Sequence, residues 1–288
     1  MCQSRRLELV EKPANRTMSD ELVKTLSILE TPKFLGTKDS TGTPNVSFIT
    51  TWTVYDKTRL VYGDFLSWKT RQNLESGNKQ IGILVMTTSL DSWMIRAEFE
   101  SFHRNDAVYE FIAQTPLFRY NQYTNARGAG LADPLWVSQN YKISKVSVLT
   151  SFMKAKLAAR KIPCVGTVEG NMPPNVHERF AKMTSVKALC YVADDGFPVV
   201  FPAMGMTAAS KNQLVMDRGE EKRRELAIKD GQEVAVNLVT MEPAAFQVKG
   251  IFREVNDRIA YVQIKSVYAG SLPRPGVRVD IPLAKRED

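Results

Sequence analysis

Residues 60–74 read Leu60-Val61-Tyr62-Gly63-Asp64-Phe65-Leu66-Ser67-Trp68-Lys69-Thr70-Arg71-Gln72-Asn73-Leu74. An apolar run stops at an aspartate and gives way to a basic segment of good helix formers. The pattern predicts a strand over Arg59–Gly63 and a short helix over Trp68–Glu75, closed by Gly77 just past the helix end. Upstream, Ser19-Asp20-Glu21 caps a helix carrying Leu22, Val23, Leu26 and Leu29 on one face, ended by Pro32. Strands are expected over Lys33–Thr37 and Asn45–Val54, with a turn at Asp39-Ser40-Thr41-Gly42 between them. Downstream, Gln80–Thr87 is nearly all apolar and reads as a strand buried on both faces. Trp93–Phe99 alternates apolar and polar residues, as a half-buried antiparallel strand does. The opening stretch, Met1–Thr17, is polar and aperiodic and reads as an arm.

The same train returns about 153 residues later. Thr41-Gly42-Thr43-Pro44-Asn45-Val46 meets Asp195-Gly196-Phe197-Pro198-Val199-Val200, and Leu60–Asp64 meets Leu214-Val215-Met216-Asp217. Lys69–Leu74 meets Lys222-Arg223-Arg224-Glu225-Leu226, and Trp93–Phe99 meets Phe246–Phe252. The leading helix recurs over His177–Met183. Two copies of one small β-rich domain follow, residues 1–165 and 166–288. The first also holds a helix near Asp106–Gln114, a strand over Tyr141–Val148 and a basic helix over Phe152–Lys161. A linker, Ile162–Asn175, joins the copies. About six antiparallel strands per copy, with helices at the crossovers, suggest a mainly β fold of two barrels, packed on each other like a fused dimer.

Composition narrows the function. Hydrophobic residues make up 43% and charged residues 24%, which fits a globular protein with a real core and excludes disorder or a coiled coil. The longest apolar run, Ile81–Met86, is far short of the ~20 residues of a membrane span, and no secretory leader is evident, so the expected location is cytoplasmic with no membrane partner. Cys2, Cys164 and Cys190 are scattered and contain no Cys-x-x-Cys pair, and the two histidines, His103 and His177, have no acidic or cysteine cluster nearby. A disulfide framework, a metal centre and a serine–histidine triad all lack material. Any chemistry then falls to a cofactor. The net charge of +8 favours anionic ligands, but the 39 basic residues form no dense tail, which disfavours nucleic acid.

The order of turn, Gly-x-Pro-x-Val, apolar strand ending in aspartate, then Lys-Thr-Arg-x-Asn-Leu, resembles the pyridoxamine 5′-phosphate oxidase-like family of FMN-binding split barrels. The carrying residues are Gly42, Pro44, Val46, Asp64, Lys69, Arg71, Asn73 and Leu74, and the likeness extends more loosely over 176–265. It implies two split barrels packed as an intramolecular pseudo-dimer with an FMN between them. Carried over by position, Ser67, Lys69 and Arg71 would hold the phosphate, and Thr50, Thr51 and Trp52 would line the ring. Where the family usually has Ser-Arg-Lys, this chain has Ser67-Trp68-Lys69. Taken alone, the residues allow two readings. Ser67 either caps a helix whose Lys69 and Arg71 are solvated, or it sits with them at a helix N-terminus that binds an anion.

In the second copy Glu220 and Glu221 replace Ser67 and Trp68, and two carboxylates in a first turn repel a phosphate dianion. One flavin per chain is expected, its phosphate on the first copy, with Lys222, Arg223 and Arg224 pairing with the glutamates as a surface network. The implied function is an FMN-binding flavoprotein, an oxidoreductase of unknown substrate, with a small-molecule substrate or electron carrier as partner and further homodimerisation open. The alternatives are a non-catalytic binder of haem or a deazaflavin, and a basic nucleic-acid-binding barrel. Three other features stand apart: a glycine-rich turn at Asn125–Gly130, the aromatic stretch Phe118–Tyr123, and the basic helix over Phe152–Lys161.

Overall fold

The computed structural model describes residues 16–65, 67–116, 127–163, 170–241, 244–271 and 275–279. Two antiparallel sheets of seven strands dominate it. The first contains β1 (Lys33–Lys38), β2 (Pro44–Phe48), β3 (Thr53–Val54), β4 (Leu60–Asp64), β5 (Gln80–Met86), β6 (Ser92–His103) and β7 (Gly128–Val137). Their spatial order is β2-β1-β5-β6-β7-β4-β3. The second contains β8 (Val186–Val192), β9 (Pro198–Pro202), β10 (Thr207–Ser210), β11 (Gln213–Asp217), β12 (Glu233–Val239), β13 (Ala245–Glu254) and β14 (Ile259–Ala269). Its order is β9-β8-β12-β13-β14-β11-β10, which is the first order with seven added to each strand number. Helices α1 (Asp20–Ser27), α2 (Trp68–Glu75), α3 (Ala107–Ala113), α4 (Lys145–Ala159), α5 (Pro174–Phe180) and α6 (Gly219–Arg223) lie at the periphery. The correspondence extends to them, since α1 and α5 lead into β1 and β8, and α2 and α6 join the fourth strand of each sheet to the fifth.

Each sheet curls into a split barrel because its two edge strands are consecutive in the chain. Only residues 49–52 connect β2 to β3 at opposite edges, and only 203–206 connect β9 to β10. In the first barrel Thr51 fastens the seam: its hydroxyl donates to the Gly63 carbonyl and accepts from the Gly63 N–H, both at 3.1 Å. The paired turn glycines, Gly42 and Gly196, have φ of 84° and 83°, and Gly77 and Gly231 have 93° and 82°. A left-handed backbone at each is why the repeat shows in the sequence as glycines.

The barrels pack on each other through β5 and β1 against β9, and through β12 and β8 against β2, a pseudo-two-fold arrangement. Phe34, Val46, Leu84 and Met94 of the first sheet join the core of the second, among Leu189, Phe201, Val236 and Val262. This explains why β5 is apolar on both faces, and why the alternation expected over Trp93–Phe99 begins only beyond Ile95. A Cβ on Gly82 would collide with the Pro198 carbonyl, and one on Gly36 with Val200 and Cys190, so the seam needs bare backbone there.

Several boundaries differ from the sequence reading. Asn45–Val54 is two strands at opposite edges rather than one. Tyr141–Val148 is not a strand, because α4 begins at Lys145 and takes in the basic helix expected over Phe152–Lys161. The helix expected over His177–Met183 starts at Pro174, and proline suits a first helical turn. The α4 helix, read with the first copy, packs on β10 and β11 of the second. Gly128 opens β7 rather than lying in a turn. Phe118–Tyr123, Cys2, Cys164 and nearly all of the Met1–Thr17 arm lie outside the described residues. No helix among those described is long and apolar enough to cross a membrane.

Candidate functional site

A cleft of about 280 Å³ opens between the barrels. The first barrel supplies one wall: Asn45–Phe48 of β2, the seam residues Ile49, Thr50 and Thr51, Gly63 at the end of β4, and Ser67, Trp68 and Lys69 at the start of α2. The second barrel supplies the other from Asn237, Gln247, Tyr268, Ala269 and Gly270. The Asn237 and Gln247 side-chain amides both donate to the Val46 carbonyl, tying β2 to the opposite wall. From below, the buried Lys33 ammonium donates to the Thr50 carbonyl at 2.9 Å and to the Ile28 carbonyl at 2.7 Å, which fixes the seam residue that faces the cleft.

The start of α2 is electropositive and open. Ser67 occupies the N-cap position, but its hydroxyl donates to Asp64 Oδ1 at 2.8 Å and caps nothing. No acidic residue stands in the first turn. The first backbone N–H groups of the helix are left to a ligand or to water, with the helix dipole behind them. Asp64 is buried and is neutralised by Arg71 at 2.8 Å and by Arg127 at 3.3 Å. Lys69 Nζ lies 3.1 Å from the centre of the Tyr268 ring, a cation–π contact across the cleft. Burial works to raise the Tyr268 phenol, but hydrogen bonds with Ser266 and Lys69 and the charges of Lys69 and Lys249 outweigh it and hold the pKa below its ordinary value. Burial, then the neighbouring Lys69, lowers the Lys249 ammonium.

Of the six residues assigned from the sequence, Thr50, Thr51, Ser67 and Lys69 line the cleft, and Trp52 and Arg71 do not. Trp52 is fully buried in the first core, its ring 4.5 Å from that of Tyr62, so its side chain supports the seam instead of facing a ligand. Arg71 is held by Asp64 and by Glu75, each at 2.7 to 2.8 Å, and stacks on Phe102. Asn237, Gln247 and Tyr268 escaped the sequence reading because they come from the other copy, about 170–220 residues away, and carry no local motif. Neither histidine lines the cleft, and among the described residues no cluster of three or more histidine, cysteine or acidic groups could hold a metal.

The corresponding place in the second copy is filled by the chain itself. Met204 and Gly205 follow β9 as Thr50 and Thr51 follow β2, but α4 lies against them, and a Cβ on Gly205 would fall 2.7 Å from the Ser151 Cβ. Ser151 donates to Asp217, the counterpart of Asp64, at 3.1 Å. Glu221 is buried and bonded to Arg218, while Glu220 takes Arg223 and the buried Arg224. Arg224 also donates to Ser92 Oγ of the first barrel at 2.8 Å and stacks on Tyr141. The glutamate–arginine network expected at the surface is therefore largely internal. Burial drives the Arg224 pKa down to about 10, with Glu220 opposing the shift.

No family model matches the chain, and no curated protein does. Solved structures do. An FMN-binding protein from Syntrophomonas wolfei subsp. wolfei is 12% identical, covering 43% of this chain and 85% of its own, with a TM-score of 0.37. A protein of the pyridoxinephosphate oxidase family from Clostridium acetobutylicum is 14% identical over 43% of this chain and 91% of its own, at 0.34. HutZ, described as the haem storage protein of Vibrio cholerae, is 15% identical over 44% and 94%, at 0.34. Strand order, seam and packing together establish the fold of this chain: two split barrels in tandem, mainly β, joined as an intramolecular pseudo-dimer with an open cleft between them.

Proposed function

We propose that the cleft binds a flavin, FMN being the form its residues suit, and that the protein is a flavin-dependent oxidoreductase whose substrate or electron carrier enters from the same opening. The observation that carries this reading is the uncapped start of α2, with Lys69 beside it, facing a second wall across a cavity between the barrels. A phosphate dianion would be held by the first-turn N–H groups and the Lys69 ammonium, and by the Ser67 hydroxyl once it turns from Asp64 to the phosphate. The hydroxyls of Thr50 and Ser47, with the Asn237 and Gln247 amides, supply the few directional polar groups expected of a small-molecule site. When bound, the flavin supplies hydride or electron transfer. The chain's own part is to orient it, keep water from the buried seam, and place positive charge from Lys69 and Lys249 where negative charge gathers.

The haem reading finds no histidine in the cleft to serve as an axial ligand, and His103 is engaged with Ser101 and Asp106 outside it. The test is to purify the protein, record its visible spectrum, identify any chromophore released on denaturation, and titrate the flavin-free protein with FMN. A flavin spectrum, or saturable binding at one FMN per chain, is expected. Colourless protein that takes up no flavin in solution overturns the reading.

A further inference from the structure

We propose that Trp68 is a stacking platform for an adenine ring lying beside the phosphate held at the start of α2, so that the cleft admits more than FMN alone. The proposal rests on the flavin-phosphate reading above and extends it.

Trp68 is the first residue of α2 and lines the cleft beside Ser67 and Lys69, yet 59% of its surface is open to solvent. The other three tryptophans, Trp52, Trp93 and Trp136, are buried or half-buried. An indole left in water forgoes the burial that stabilises such a side chain, so its exposure at a cleft mouth needs a reason. Nor is it a loose side chain. The Arg127 guanidinium lies 3.9 Å over the ring and is itself fixed, Nε donating to the Phe65 carbonyl at 3.1 Å and Nη2 to Asp64 at 3.3 Å. With one face occupied by Arg127, the open surface is the other face and the ring edges. The cation behind the ring draws π density from that open face, which favours an electron-rich purine over another cation.

An anion-binding helix start and a fixed aromatic plane at adjacent positions are the two elements that recognise a phosphate-linked base. The N–H groups take the phosphate and the π face takes the ring. Such an adenine has two sources, the AMP half of FAD or a separate adenine dinucleotide acting as electron donor beside bound FMN.

The experiment titrates wild type, Trp68→Ala and Trp68→Phe with FAD and FMN, and titrates the FMN-loaded proteins with ADP-ribose, following flavin fluorescence and calorimetric heat. Because Trp68 is exposed, both variants should melt with the wild type. If FAD supplies the ring, Trp68→Ala weakens FAD by about ten- to hundred-fold, FMN changes by less than about two-fold, and Trp68→Phe retains most FAD affinity. If a separate nucleotide supplies it, FAD and FMN bind alike, and ADP-ribose binds the FMN-loaded protein only when residue 68 is aromatic. Either result supports the platform. Equal effects on FAD and FMN without Trp68-dependent ADP-ribose binding, or no effect on any ligand, overturn it and leave the flavin reading standing. If the wild type binds neither flavin, the flavin reading falls, and ADP-ribose titrated into the unloaded protein decides the platform alone: binding that needs Trp68 keeps it, and absence of binding ends it.

Discussion

Lys69 is the residue on which the cleft's charge turns, since among the described residues no carboxylate lies within ion-pairing distance of it and it rests instead on the Tyr268 ring. Replacing it with alanine should weaken FMN binding at least ~10-fold, the loss of a charge-assisted contact. The melting temperature should hardly move, and an unchanged Kd would remove Lys69 from the site. Thr51 tests the seam differently. Thr51→Val keeps the shape but leaves the Gly63 N–H and C=O without their 3.1 Å partner, at a cost of about 1–3 kcal/mol in urea denaturation. Two further residues carry a pH signature. Burial depresses the Lys187 ammonium to about 7, and burial, opposed by Glu30, depresses that of Lys33 to about 8. The unfolded chain keeps both protonated up to the ordinary 10.5, so it binds more protons than the folded chain across that window. Their effect on stability is therefore least favourable at and below neutral pH and improves as pH rises towards 10. Relative to Lys187→Met, the wild type should gain stability between pH 7 and pH 9; a stability difference independent of pH would refute the assignment.

At the scale of elements, the sequence announced what depends on short-range chemistry. The α2 helix begins at Trp68 and ends at Glu75 as read, because Gly77 supplies the left-handed residue that stops it. The turns at Gly42 and Gly196 were legible for the same reason. Failures occurred where distant contacts decide. The β-branched and aromatic residues of 141–148 look like a strand, but Val148 and Phe152 are buried in α4, against Met204 of the second barrel and beside Lys187. Lys33 and Lys187, both inward-facing and each bonded to the carbonyl five residues earlier, are a mark of the repeat that charge counting hides. The closure of the twin cleft by α4 has a measurable consequence. Gly205→Ala should push Ser151 away and cost about 1–3 kcal/mol, while FMN stoichiometry stays at one per chain, since α4 stays packed on β10 and β11 and the glutamates stay bonded to their arginines. Native mass spectrometry reads the ratio, and two flavins in the wild type would contradict the closure.

For the whole molecule, the decisive feature is that neither barrel contains the cleft. Its walls belong to different halves, joined where β5 meets β9 and β12 meets β2, so a change that disturbs only this joint should act on binding from a distance. Gly82 offers the cleanest case. It sits in mid-strand and lines no part of the cleft, but a Cβ there would meet the Pro198 backbone carbonyl, which cannot swing aside as a side chain would. Gly82→Ala must move one barrel against the other, which should cost about 1–3 kcal/mol and also weaken FMN binding, because Asn237, Gln247 and Tyr268 move relative to Lys69. Gly42→Ala is the control. It meets nothing within 4 Å and suffers only the strain of φ +84°, about 1 kcal/mol. Both variants should therefore lose stability, but only Gly82→Ala should lose affinity when each is titrated with FMN well below its melting temperature. If the two lose stability alike and bind alike, the walls do not act together, and the ligand must be held by the first barrel alone.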